Sequence, residues 1–422
     1  MGARRWRIGL LLFVLYVVAF ADRANIGMAA PSLAKAYVLG PAAIGFLTSF
    51  FFYGYLVMGI PGGLLAQRFS ARRYMTIGMV VWGLAAMVPA VAGNYTIIAI
   101  SRIILGLAEG GIFPAAAVLI GQWFPRDERG RAASSLIIAS PIAVAISSPI
   151  GGWLIQAVGW RGMFFWEGIP ALIVAAIFYV VVRDRPEEDT ALGASERTYL
   201  KDQATTEDRD NAALGAVRWR VIMRRPVVVS AIVYLLWLTG LYGLTLWLPT
   251  YLKTTTHDNI LTVGLLTALP WAVAAVALGI NAVVSDHRTM IRRFFAAVPL
   301  GAGGIALVVG QMVPTTAVIL IIVLLAIAAI GVWGPMGPFW GLALSSVPPS
   351  YAGATTGIVN TCGNIGGILG PTLVGLIAQA TGSDLGGFIV LGLCLLVSGL
   401  VLVVFAPAPK RVAEIGAGAS AI

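Results

Sequence analysis

Long apolar runs separated by short polar joints repeat from Ile8 almost to the end of the chain. A helix needs roughly 20 such residues to cross about 30 Å of hydrocarbon. The pattern predicts twelve membrane-spanning helices, over 8–28, 42–67, 73–93, 96–123, 131–157, 162–182, 226–252, 260–285, 290–312, 315–346, 351–380 and 386–407. The first run continues past Gly27 with further spans behind it, which reads as a retained helix rather than a cleaved leader. Only one polar stretch is long, Arg183–Arg220. It is too poor in apolar residues to bury a core and reads as a solvated linker. The chain therefore divides into an N-terminal six-helix half, 1–182, a linker, 183–225, and a C-terminal six-helix half, 226–422. An internal echo agrees: "GGLLAQRFSARR" (Gly62–Arg73) follows span two and "GINAVVSDHRTMIRR" (Gly279–Arg293) follows span eight. Paired halves about a central site are a common transporter plan.

Composition supports the pattern. With 59% hydrophobic and 11% charged residues, a soluble fold of this size could not cover its surface. The net charge of +10 would suggest a nucleic-acid partner if it were clustered, but it follows the spans instead. With both termini in the cytoplasm, all of the Lys and Arg lie on the cytoplasmic side except Lys35, Arg161 and Lys253 outside and Arg23 and Arg102 in the membrane. That is the positive-inside asymmetry. Cys362, Cys394, His257 and His287 have no ligand-spaced partners, and no nucleophile elbow, metal pair or phosphate loop is present. The expectation is a multi-pass inner-membrane protein that is not an enzyme, needs no metal or cofactor other than protons as coupling ion, and binds no nucleic acid.

The charges inside the membrane carry the chemistry. Asp22 and Arg23 lie about 20 Å into span one, where a charge costs several kcal/mol and normally faces a bundle interior or water. Neighbours on a helix point about 100° apart, so the two do not simply neutralise each other. Arg102 and Glu109 in span four are seven residues apart and share a face, about 10 Å from one another along the axis. The natural partners are Asp22 with Arg102, and Arg23 with Glu109 or a ligand anion. An arginine stays charged and matches a carboxylate with a planar fork. A proton on Asp22 or Glu109 would therefore release an arginine for an anionic substrate.

Polar and aromatic groups flank this set. Tyr53 and Tyr55 lean to opposite faces of span two, so that one lines a cavity and the other packs. Tyr242 and Trp247 in span seven and Trp333 and Trp340 in span ten fit a cavity, although any one of them fits an interfacial belt or core equally well. Asn360 and Asn364, at i and i+4, present paired amides that either join helices or face a ligand. Glu167 in "FFWEGIP" lies near the outer end of span six, where local pairing is expected.

Jointly, "DRANIG", "SRIILGLAEGGIFPA", "FPRDERGRA", "GWRGMFFWEGIPA" and "GIVNTCGNIGGILGP" resemble segments of the major facilitator superfamily and, within it, the anion:cation symporter family. The resemblance covers essentially the whole chain. It implies an all-α polytopic membrane protein that alternates between outward and inward openings and imports organic carboxylates with protons. Residue by residue, it implies Asp22 and Glu109 as protonation sites, Arg23 as the substrate-carboxylate ligand, Arg102 as a partner in the charge network, and Tyr55 and Asn360 as cavity groups. Arg68 and Arg72 belong to the superfamily's cytoplasmic latch, and Asp286 is its second-half counterpart. Gln67 stands where the latch has Asp, and Ser70 where it has Gly. Gly59 and Ser140 stand where sugar-acid members often carry Gln. "LYGLTLWLPTYLK", "ASPIAVA" and "GPFWGLA" look closer to members handling aromatic or short hydroxy-dicarboxylic acids.

The sequence therefore predicts a monomeric proton symporter in the lipid bilayer, importing a small organic anion. The candidate substrates are sugar acids (aldonate, aldarate or hexuronate) and aromatic or hydroxy-dicarboxylic acids. Arg23, Tyr55, Arg102, Tyr242, Trp340, Asn360 and Asn364 are its expected substrate contacts. The alternative on the same fold is proton-driven export of amphiphilic compounds.

Overall fold

The computed structural model describes residues 3–189, 192–202, 224–288, 291–347 and 351–405. Among the described residues the long elements are all helices: α1 (Ala3–Tyr37), α2 (Pro41–Arg68), α3 (Ala71–Val91), α4 (Tyr95–Gly110), α5 (Ile112–Trp123), α6 (Arg126–Val181), α7 (Arg225–Thr256), α8 (Ile260–Asp286), α9 (Arg292–Gly310), α10 (Val318–Trp333), α11 (Met336–Ser345), α12 (Ala352–Thr381) and α13 (Leu385–Phe405). Much of the predicted linker, 203–223, lies outside the described residues.

Among the described residues eleven stretches are long and apolar enough to cross a membrane. At 56 residues, α6 would extend about 84 Å as one rod, over twice the hydrocarbon thickness. It turns back at Gly159, whose φ of 74° and ψ of 168° suit a residue without Cβ. The predicted spans 131–157 and 162–182 bracket that residue, so α6 makes two crossings and the total is twelve. Two other crossings are broken in the middle. α4 passes into α5 at Gly111, and α10 passes into α11 at Gly334 and Pro335. Proline has no N–H to continue the ladder, and neighbouring helices make such breaks tolerable in a membrane.

Side chains cap several joints: Ser70 Oγ accepts from Arg73 N, Asn94 Oδ1 from Ile97 N and Asn259 Oδ1 from Thr262 N, each at 3.0 Å. α1 and α3 pack on α6, and α2 packs on α4. α7 packs on α12, and α9 on α13. These groups meet through α2 with α12, α6 with α8, and α1 with α7.

The meeting is tight at the end where α1 gives way to α2. A Cβ on Gly45 would lie 2.5 Å from the Pro371 carbonyl oxygen, so only glycine lets α2 and α12 approach so closely. Lipid supplies no hydrophobic drive between helices, which makes close backbone packing the principal contact. Ser49 Oγ lies 2.9 Å from the Ile368 carbonyl and 2.6 Å from Thr372 Oγ1. Trp247 Nε1 donates to the Pro371 carbonyl at 3.1 Å. This sealed end is called the distal end below; α1 begins and α13 ends at the other.

Candidate functional site

The break between α4 and α5 fixes the first half of the site. A Cβ on Gly110 would stand 2.3 Å from the Tyr55 carbonyl, so α2 and α4 lie backbone against backbone here. That brings Glu109 and Tyr55 to one place in the interior. Glu109 Oε2 accepts from Arg23 Nε at 2.8 Å, with the arginine side chain 13% exposed and the glutamate fully buried. The Arg23 guanidinium is ringed by Phe20 at 4.4 Å, Phe51 at 5.1 Å and Tyr55 at 4.9 Å. Cation–π contact of this kind partly replaces lost hydration. Its two terminal nitrogens have only the neighbouring Tyr242 hydroxyl beside them among the described residues.

Asp22 points elsewhere, as its 100° offset from Arg23 requires. The expected Asp22–Arg102 pair is not formed: Asp22 Oδ2 instead accepts from the indole N–H of Trp82 on α3, at 2.8 Å. The Arg102 guanidinium lies over Phe164, 5.4 Å from the ring centre, and its Nε has no hydrogen-bond partner. An indole donor from a third helix satisfied the acid first, and neither the spacing nor the resemblance pointed to Trp82. Glu167 also departs from expectation. It makes no local pair, and both carboxylate oxygens are buried without a well-formed hydrogen bond, next to the side chain of Asn25 on α1.

A cavity of about 260 Å³ lies beside this set. Six of the seven expected substrate contacts line it: Arg23, Tyr55, Tyr242, Trp340, Asn360 and Asn364. Arg102 does not. It lines a void of about 30 Å³ beyond Arg23 instead, because its side chain turns toward Phe164. Of the two span-two tyrosines, Tyr55 is buried and Tyr53 exposed, so Tyr55 is the cavity residue. Asn364 Nδ2 donates to Asn360 Oδ1 at 2.6 Å and to the Asn360 carbonyl at 2.8 Å, which leaves the outward half of each amide for a ligand.

Sequence reading missed Tyr16, Tyr234 and Met336 in the lining. They sit in apolar runs with nothing to mark them as inward. Ser140, noted as a departure from the family, lines this cavity, and Gly59, the other, lines the next one.

That next cavity, about 420 Å³, shares Tyr55, Phe113, Thr356, Asn360 and Asn364 with the central one and reaches Gln67 near the end of α2. The site thus opens toward the end where the chain begins. A third cavity, about 670 Å³ and lined by Trp247, Gln311 and Asp384, lies at the distal end. It shares no residue with the central one, and the Gly45–Pro371 contact stands between them.

The latch residues lie at the open end. Asp184, unmarked in the sequence, supplies the acid that Gln67 does not. Its Oδ2 is 2.5 Å from Ser70 Oγ and its Oδ1 accepts from Arg72 N at 2.9 Å. Arg72 also donates to the Tyr179 carbonyl and lies over that ring, while Arg68 lies over Phe69. Asp286 pairs with Arg292 at 3.1 Å. Asp184→Ala should cost about 1–3 kcal/mol and speed amide hydrogen exchange at 70–73, with no change in the central cavity.

Comparison with known proteins agrees with this geometry. The Major Facilitator Superfamily model matches residues 12–371. A putative tartrate transporter of Agrobacterium vitis is 31% identical over 96% of this chain and 91% of its own length. A quinolone resistance transporter of Acinetobacter baumannii is 28% identical over 93% and 91%. Among solved structures, the inward open conformation of the xylose transporter XylE from E. coli superposes with a TM-score of 0.78 at 17% identity, covering 98% of this chain and 99% of that one. With its twelve crossings and central cavity open at one end, the chain belongs to the Major Facilitator Superfamily and is a membrane transporter, not an enzyme.

Proposed function

We propose that this transporter imports a small organic carboxylate together with protons by alternating access. One observation carries the reading. Arg23 is anchored through Nε to Glu109 and turns the rest of its guanidinium toward the cavity, where its two terminal nitrogens match a carboxylate. A carboxylate there competes with Glu109 for the same cation. Protonating Glu109 or Asp22 removes a competing negative charge as the anion binds, which is the physical link between proton and substrate. The name of the tartrate relative supports an organic anion. The cavity volume lies just below the range for drug-sized ligands, and its ring-rich wall favours an aromatic or short hydroxy-dicarboxylic acid over a polyhydroxy acid. Tyr55, Tyr242, Trp340, Asn360 and Asn364 would hold its body, and Arg102 would hold the charge network from behind.

In this reading the end where the chain begins faces the cytoplasm, in keeping with its excess of Lys and Arg, and the conformation is open inward. The halves 1–182 and 226–422 rock about the cavity as a monomer in the inner membrane, with Arg68, Arg72 and Asp286 in the inner gate. A second reading, proton-driven export of amphiphilic compounds, is favoured by the same aromatic wall and by the quinolone resistance relative. Purified protein separates them. L-tartrate, D-glucarate, 4-hydroxyphenylacetate and D-gluconate are tested for binding against the uncharged amide of each and against a fluoroquinolone. Carboxylates that bind while their amides fail support import of an anion. Binding of the fluoroquinolone with no carboxylate bound favours export.

A further inference from the structure

Among the described residues three carboxylates are embedded in the membrane region: Asp22, Glu109 and Glu167. Only Glu167 lacks both an ion pair and a well-formed hydrogen bond, the Asn25 side chain being the polar group nearest to it. It lies on the second limb of α6, about 12 Å from the turn at Gly159, and so on the distal side of the cavity. Gly151 makes room for it, since a Cβ there would be 3.4 Å from Glu167 Oε1, with Met163 and Met28 closing the same space. Asp22 and Asn25 face it from α1 and Arg102 from α4. The neighbouring α3 packs Gly83 and Met87 against Gly168, and beyond its first turn it carries no charged residue.

Two countings then point the same way. Arg23 and Glu109 neutralise each other, which leaves two acids, Asp22 and Glu167, to one base, Arg102. A buried excess charge is expensive, and the set is neutral only when one acid holds a proton. Asp22 already accepts an N–H from Trp82. Glu167 has at most the loosely placed Asn25 amide beside it, and Asn25 Oδ1 is likewise a buried acceptor without a donor. A single hydrogen on Glu167 serves both, because the acid O–H can donate to Asn25 Oδ1.

We propose that Glu167 is a third proton-carrying group, which holds a proton while Asp22 is ionised and passes it to Asp22 as Arg102 swings to Glu167. In the transfer the O–H bond on Glu167 breaks, an O–H bond forms on Asp22, and the negative charge moves from Asp22 to Glu167. Nothing else is consumed. Glu167 is thereby the distal station of a path whose inner members are Asp22 and Glu109. Its role in transport rests on the proton-coupled reading above.

The test needs no substrate. Infrared spectra of the full-length protein in lipid vesicles at neutral pH should contain a protonated carboxylic acid carbonyl band. Glu167→Gln should abolish it. Asn25→Val, which removes the acceptor, should move it to higher frequency. Asp22→Asn should also abolish it, because Arg102 then has Glu167 as its only free anion and holds it ionised. Glu167→Gln and Asp22→Asn are near-isosteric, and unchanged melting curves establish that both remain folded. A band that survives Glu167→Gln overturns the assignment, and one that survives Asp22→Asn overturns the sharing. If the band behaves as expected while carboxylate uptake ignores the proton gradient, the proton on Glu167 stands and proton-coupled import falls.

Discussion

Arg23→Ala should weaken binding of the transported carboxylate by roughly 10- to 100-fold, the loss expected when a charge-assisted hydrogen-bond donor is removed from a buried site. Among the described residues Arg23 is the only cation lining the central cavity, and its Nε is committed to Glu109. The substitution also strands Glu109, whose Oε1 already lacks a partner; a buried unpaired charge costs about 3–5 kcal/mol. The double variant Arg23→Ala/Glu109→Gln removes that penalty, so it should fold like the native chain and still fail to bind. Arg23→Lys keeps a charge but loses the fork and the Nε contact, and its loss should be intermediate. Titration calorimetry with the tightest carboxylate of the binding screen reads all three. Unchanged affinity in the double variant would take Arg23 out of the substrate site.

Asp22→Asn and Glu109→Gln should each abolish accumulation driven by a proton gradient while leaving exchange of substrate across the membrane. One pH unit supplies about 1.4 kcal/mol for each proton moved, or tenfold in accumulation. A membrane potential adds about 2.3 kcal/mol per 100 mV for each net charge carried. Without a proton-accepting group the proton gradient no longer reaches the substrate, and with no membrane potential imposed the inside-to-outside ratio falls to one. Counterflow in proteoliposomes checks that the binding and rocking steps survive. The two variants also differ in a useful way. Glu109→Gln frees Arg23 directly, so its substrate affinity should rise, whereas Asp22→Asn leaves the Arg23–Glu109 pair in place.

Much of this was legible in the residues. Hydropathy located the twelve crossings, because lipid forces every backbone group to pair within its own helix, with the predicted first span, 8–28, shorter than its helix, Ala3–Tyr37. The turn at Gly159 was bracketed for the same reason: one helix cannot be two membranes long. The 100° offset between Asp22 and Arg23 correctly put them to separate partners, and the Arg23–Glu109 pair was among those anticipated. What failed was partner choice between helices that sequence spacing does not connect. Trp82 looked like any apolar-face tryptophan, and it took Asp22 away from Arg102. Glu167 looked peripheral because its helix was read from its outer end, yet the fold aims it inward beside Asn25. Asp184 sits in a charged run whose members are individually indistinguishable, and only the return of α6 to the loop after α2 selects it. Long-range polar pairs depend on how helices are rotated against each other, which the periodicity of one helix does not contain.

The most direct measurement of the central claim is proton movement on substrate addition. Proteoliposomes of the native protein, weakly buffered and free of any imposed gradient, receive the tightest-binding carboxylate from outside while external pH is followed. Coupled import predicts that the outside becomes more alkaline as substrate enters, and that Asp22→Asn vesicles give no such change. Substrate uptake with no proton movement, or with acidification of the outside, would contradict it.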